Sequence, residues 1–153
     1  MLLIFSNPHF RLMWITFTLM GFSGIMFMMV HGWLTLSITG SPFWVGSVAG
    51  AGGLGFMGFS IVGGVLADRY SRRDLLIVTD LVFAAATAAI AVSILTDNVT
   101  VWQLTIVAVV VGVASGIRTP AFMSMIVDIV GRERLLAANA ASYVGMGIGG
   151  IVG

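Results

Sequence analysis

No charged side chain occurs in residues 12–67, the first long apolar stretch of the chain. One bilayer crossing needs about 20 residues, so this stretch holds two. The turn signal Thr39-Gly40-Ser41-Pro42 divides it. The pattern predicts helices over about 10–38 and 43–67. Polar residues at 68–74 lead into a third apolar run at about 75–95, and Thr96-Asp97-Asn98-Val99-Thr100 forms the next turn. A fourth run covers about 101–129. A fifth begins near Ala137 and is still running at Gly153. In hydrocarbon every backbone donor and acceptor needs a partner inside the protein, which leaves helices or closed barrels. Barrel strands are segments of about 10 alternating residues; these runs are longer and do not alternate. The expectation is an all-α, polytopic transmembrane bundle. A cleaved leader is a poor reading of the start: the stretch after Arg11 is too long for an h-region and lacks a small-residue cleavage site.

Composition agrees with the pattern. Charged residues make up 8% of the 153, against roughly 25% in an ordinary soluble domain, and apolar residues make up 59%. Mean hydropathy is +1.10. A soluble domain of this size has too little polar surface to cover such a chain. The net charge of +1 gives no long-range pull on nucleic acid. There is no Cys, hence no disulfide, thiol nucleophile or Cys-based metal site. Lys is absent, and the Arg residues are sided. Arg11 precedes the first run, Arg69, Arg72 and Arg73 fill the loop between the second and third, and Arg132 and Arg134 follow the fourth. The turns at 39–43 and 96–100 have none. The positive-inside rule then puts the N-terminus and the 68–74 loop in the cytoplasm of a multi-pass cell-membrane protein.

The second run is rich in glycine: Gly46, Gly50, Gly52, Gly53, Gly55, Gly58, Gly63 and Gly64. Gly46 and Gly50 have the small-xxx-small spacing that lets helix backbones approach. Two readings stand: static packing, or a seam along which two bundles slide. Both make Gly50→Leu harmful; only the second expects normal insertion with lost function.

Residues Gly64-Val65-Leu66-Ala67-Asp68-Arg69-Tyr70-Ser71-Arg72-Arg73 closely resemble the loop between helices 2 and 3 of the major facilitator superfamily, G-x-x-x-D-R-x-G-R-R. Ser71 stands where that family usually has Gly. Val62–Tyr70 together with Ile129–Glu133 looks like the enterobactin-exporter branch. Gly145–Gly153, including Gly149 and Gly153, resembles the opening of the glycine-rich helix 5 of the family's exporters. The resemblance implies that residues 1–153 are a truncated N-terminal domain of a major facilitator fold, four complete helices plus an incomplete fifth over 137–153. It also implies a latch. Asp68 would cap a helix N-terminus in the opposite half, where a negative charge meets the positive end of a dipole. Arg72 would pair with an acid at the end of helix 4, for which Asp128 is the candidate. The alternative is that Arg69, Arg72 and Arg73 only meet lipid headgroups.

Two polar residues lie deep in the apolar runs. Arg118 lies 12 residues before Val130, about 18 Å along a helix, and an Arg at mid-span costs about 2.5–3.5 kcal/mol. It should face water or an acid. Pro120 follows and should kink the helix. Arg118 reads either as a ligand for an anionic substrate group or coupling acid, or as a structural Arg held by carbonyls at the kink. His31 reads as a carrier of a coupling proton or as a hydrogen-bonded His near the outer interface. Asp80 is expected to pair near the inner surface. Trp14, Trp33, Trp44 and Trp102 fall near helix ends, as interfacial anchors do.

No P-loop, His-Glu-x-x-His cluster or Ser/His/acid arrangement occurs, so the chain is not read as an enzyme and neither metal nor cofactor is implied. The partners implied are the lipid bilayer, a small-molecule substrate and the missing C-terminal half. The function expected is alternating-access export of small organic molecules, coupled to protons. The alternative is a non-transporting scaffold or regulatory remnant of a truncated transporter gene.

Overall fold

The computed structural model describes residues 8–131 and residue 140. Four helices follow one another: α1 (Pro8–Thr39), α2 (Pro42–Arg69), α3 (Arg72–Leu95) and α4 (Val101–Val130). No strand occurs among the described residues. The helices have 32, 28, 24 and 30 residues. Even the shortest is about 36 Å long, enough to cross a hydrocarbon core of about 30 Å. All four are apolar enough to span, and large apolar side chains lie on the outside, among them Leu54, Ile61 and Leu81. An apolar exterior on long helices is the arrangement lipid demands, and this protein is membrane-embedded. The fifth run, with Gly149 and Gly153, lies outside the described residues.

The connections follow from local chemistry. Gly40 closes α1 with φ +62, and its N–H donates to the Leu36 carbonyl. That left-handed position suits glycine. Pro42 opens α2, where its missing N–H costs nothing because the first helical N–H groups have no partner in any case. Between α3 and α4, Asp97 takes φ +53, a conformation that short polar side chains tolerate. Thr100 and Gln103 then form a capping box. The Gln103 side-chain oxygen accepts from the Thr100 N–H at 2.9 Å, and the Thr100 hydroxyl accepts from the Gln103 N–H at 3.4 Å. Hydroxyls inside the spans find acceptors in their own helix, as Thr18 does on Trp14 and Thr35 on His31.

The chain forms two compact units. The first, Met1–Val30 with Ser124–Gly153, has Phe10, Met13 and Ile126 buried. The second, His31–Met123, holds α2, α3 and the adjoining parts of α1 and α4. Its core includes Leu34, Val48, Ala86, Ile90, Leu104, Val111 and Phe122. Two features of this second unit bear on function: the way α4 meets α2, and the way it meets α3.

Candidate functional site

The α2–α3 connection carries the signature loop, and its backbone explains the departure at Ser71. Position 71 has φ −57, open to any L residue, so glycine is not required there. Ser71 instead caps α3, its hydroxyl accepting from the Asp74 N–H at 3.4 Å. Asp74 in the first turn suits the positive end of the α3 dipole. Tyr70 ends α2, its N–H donating to the Leu66 carbonyl at 2.9 Å.

Asp68 fits its own helix poorly. It sits one residue before the end of α2, where the dipole is negative and a carboxylate is disfavoured. Arg69 suits that end, whereas Arg72 and Arg73 crowd the positive start of α3. Asp68, Arg69 and Arg73 are exposed and Arg72 is half-buried. The helix dipoles therefore account for Arg69 but not for Asp68, Arg72 or Arg73. Asp128 lies near the end of α4 and is exposed.

The glycines of α2 divide into two sets. Gly52, Gly55 and Gly63 pack against α4. A Cβ on Gly52 would stand 3.0 Å from the Ala108 carbonyl oxygen, and one on Gly55 would stand 2.9 Å from that of Val109. One on Gly63 would reach 2.6 Å from the Gly116 oxygen. From the other side, Gly112 meets the Gly52 backbone and Gly116 meets those of Phe56 and Ser60. Ala108, Gly112, Gly116 and Pro120 recur every fourth residue, which puts them on one stripe of α4. Pro120 also frees the Gly116 carbonyl from its usual intrahelical donor, and it is against this carbonyl that Gly63 packs. By contrast, a Cβ on Gly46, Gly50 or Gly64 meets nothing within 4 Å. The backbone seam among the described residues thus runs through Gly52, Gly55 and Gly63, while Gly46 and Gly50 lie exposed.

On its α3 side, α4 makes a polar contact. Arg118 Nε donates to Asp80 Oδ1 at 2.7 Å. The Arg118 guanidinium carbon also lies 5.9 Å from the centre of the Phe122 ring, within cation–π range. The acid that Arg118 requires is therefore Asp80, reached across 38 positions of sequence. Asp80 stands eight residues into α3, farther from the helix end than its expected place near the inner surface.

His31 is buried, and its Nε2 lies 2.9 Å from the Leu104 carbonyl oxygen. A carbonyl only accepts, so Nε2 carries the hydrogen. The ring thus ties α1 to the start of α4. Trp44 and Trp102 meet edge to face at 5.8 Å near the same ends of α2 and α4. No group of three or more metal-ligating side chains occurs among the described residues.

Sequence reasoning missed the partnership of Asp80 with Arg118 and the α4 half of the seam. The second had a signal: Gly112 and Gly116 have the same spacing as Gly46 and Gly50. The Thr100-Val101-Trp102-Gln103 box was likewise legible.

Comparison with known proteins adds three findings. Macrolide efflux protein A of Enterococcus faecalis is 31% identical over 85 residues, which cover 54% of this chain and 26% of that protein. Macrolide efflux protein A of Streptococcus pyogenes is 32% identical over 85 residues, covering 54% of this chain and 21% of that protein. The matched segment thus spans about a quarter of the length of these curated relatives or less. No solved structure matches the chain. The family model described as transmembrane secretion effector matches residues 2–153. With four apolar spanning helices and the signature loop on the α2–α3 turn, the chain belongs to the transmembrane secretion effector family of major facilitator transporters.

Proposed function

We propose that this chain forms part of the N-terminal half of a secondary transporter that exports small organic molecules across the cell membrane by alternating access. The observation that carries the reading is the signature loop Gly64–Arg73 in a chain matched to a transmembrane secretion effector family over nearly its whole length. The curated relatives are named for macrolide efflux, which makes macrolides the first substrates to test. The stretches Val62–Tyr70 and Ile129–Glu133 keep a siderophore of the enterobactin type as the second.

In this reading the N-terminus and the α2–α3 loop are cytoplasmic, because the Arg residues outside the spans gather on that side. Asp68 caps a helix in the second half of the transporter, which would explain a carboxylate placed at the unfavourable end of its own helix. Arg72 and Asp128 close the same gate. Proton motive force drives the cycle, and His31 and Arg118 are the candidate coupling or substrate groups in this half. The second half of the transporter supplies the remainder of the central site.

The test is efflux from cells carrying the complete gene. Cells should hold less macrolide or siderophore than controls, and a protonophore should abolish the difference. Asp68→Asn should insert normally and export neither compound. Full export by that variant would remove the latch. No export of either compound by the wild type, at normal abundance, would count against the exporter reading and favour a non-transporting membrane scaffold.

A further inference from the structure

We propose that His31 serves the transporter read above as a positioning residue: its Nε2–H is the fixed donor of a three-helix clasp. The clasp joins α1, α2 and α4 at the end of the second unit that carries the α1–α2 and α3–α4 turns.

Three contacts of different chemistry close a triangle there. Between α1 and α4, His31 Nε2 donates to the Leu104 carbonyl at 2.9 Å. Between α2 and α4, the Trp44 and Trp102 rings meet edge to face with centres 5.8 Å apart. Between α1 and α2, Gly32 lies so near Val45 that an added Cβ would stand 3.9 Å from its Cγ1, an ordinary van der Waals distance. Each helix contributes one short segment: His31 with Gly32, Trp44 with Val45, and Trp102 with Leu104. A shift of any one helix therefore disturbs two of the contacts. The starts of α2 and α4 are themselves held, by Pro42 and by the Thr100–Gln103 box.

Of these three contacts the His31 bond is the directional one. Apolar and ring contacts tolerate a helix turning about its axis, whereas a hydrogen bond weakens steeply as its angle closes. His31 is only 7% exposed, and within a bilayer no water stands ready to replace a lost partner. The bond thus sets the rotation of α1. Thr35, one turn further on, follows the same side: it is fully buried and its hydroxyl donates to the His31 carbonyl at 2.8 Å. Trp33 lies about 160° round the helix from His31, and it is 68% exposed.

The surroundings suit a fixed donor better than a proton carrier. A carrier must exchange its proton with water or with a second titratable group, and His31 is buried. On α1 the other such groups are His9 and Arg11, at its start. Helix α2 has none between Pro42 and Ala67, and α4 has none before Arg118. Arg118 is 14 residues beyond Leu104, about 21 Å along the helix, and is paired with Asp80. Asp80 and the first-turn charges of α3 lie toward the opposite end of that helix. Asp97, in the α3–α4 turn, is exposed.

The experiment uses the complete transporter, purified and reconstituted into liposomes, with spin labels in place of the exposed Leu36 on α1 and Ile106 on α4. The wild type should give one narrow distance distribution, unmoved between mildly acidic and mildly alkaline pH. His31→Gln, whose side-chain amide donates from nearly the same place, should keep that distribution. His31→Phe keeps the bulk without the donor and should lose the single narrow peak. Because a buried substitution can prevent folding, Trp102→Leu is measured beside it. It opens another side of the triangle from an exposed position and should also broaden the peak. A broadened peak in His31→Gln, or a wild-type peak in both His31→Phe and Trp102→Leu, would overturn the clasp. The pH profile of export should survive in His31→Gln, and its loss there would make His31 a proton carrier and overturn the inference. A wild type that exports neither macrolide nor siderophore would overturn the transporter reading, while the distances still judge the clasp.

Discussion

Helix α4 meets its two neighbours in opposite ways. Toward α2 it offers Ala108, Gly112 and Gly116, and the backbones approach until no Cβ fits. Toward α3 it offers Arg118, and Asp80 answers with a carboxylate. The first contact is made of dispersion between closely packed backbones, the force available to helices in lipid, where burial of apolar groups gives no advantage over lipid tails. It does not depend on protonation or on charge. The second is one ion pair in a low-dielectric setting, strong while both charges are present and unfavourable when one is lost. The α2–α4 pair is thus suited to staying together, and the α3–α4 contact to being made and broken. The close backbone fit favours static packing of α2 on α4 over a sliding seam between them. A sliding seam would need an open face, and Gly46 and Gly50 lie on one.

Each contact of α4 can be disrupted on its own. The largest effect should come from Gly112→Leu or Gly116→Leu, since each would drive a side chain into backbone that cannot yield. Overpacking typically costs about 1–3 kcal/mol, and contact with backbone puts these variants at or above the top of that range. Thermal unfolding in detergent should show a strongly lowered midpoint or no folded protein. Next comes Arg118 left without its acid. Asp80→Asn should cost about 2.5–3.5 kcal/mol, the penalty of an Arg at mid-span, and lower abundance in the membrane. Asp80→Asn/Arg118→Gln should recover most of that abundance. A double variant no better than the single would show that the pair is not the source of the penalty.

Thr100→Ala should have a moderate effect, about 1 kcal/mol, through loss of the α4 cap. Hydrogen exchange at the first turn of α4 should rise while Gln103→Glu, which retains an acceptor, holds it near the wild-type level. The smallest effect on stability should come from Gly50→Ala, within about 0.5 kcal/mol, because a Cβ there meets nothing. Gly50→Leu sharpens the contrast further. It should leave the unfolding of the α2–α4 pair nearly unchanged while impairing export in the complete transporter. A lowered unfolding midpoint in Gly50→Leu would place Gly50 in the static seam after all.

The turn chemistry shows how local signals carry meaning. Gly40 and Pro42 divided the first apolar stretch because only glycine takes φ +62 easily and proline opens a helix without losing a bond. Ser71 shows the limit of pattern matching: a missing glycine reads as a weaker turn until the φ of −57 reveals a serine cap in its place. Glycine spacing was similarly incomplete. Gly46-x-x-x-Gly50 and Gly112-x-x-x-Gly116 look alike in one dimension, yet only the second lies against another backbone.

Membrane residence, helical character and the position of the loops were determined by the sequence alone. Each depends on how long a run stays apolar and where charge or a turn residue interrupts it, and both are local properties of the chain. The chemistry of Arg118 was half legible, because a guanidinium deep in a span demands an acid whatever the fold. Which acid it takes, and which glycines touch, were decided by tertiary structure. Partners 38 positions apart meet only when two helices take a particular rotation and offset, and a periodic pattern constrains neither.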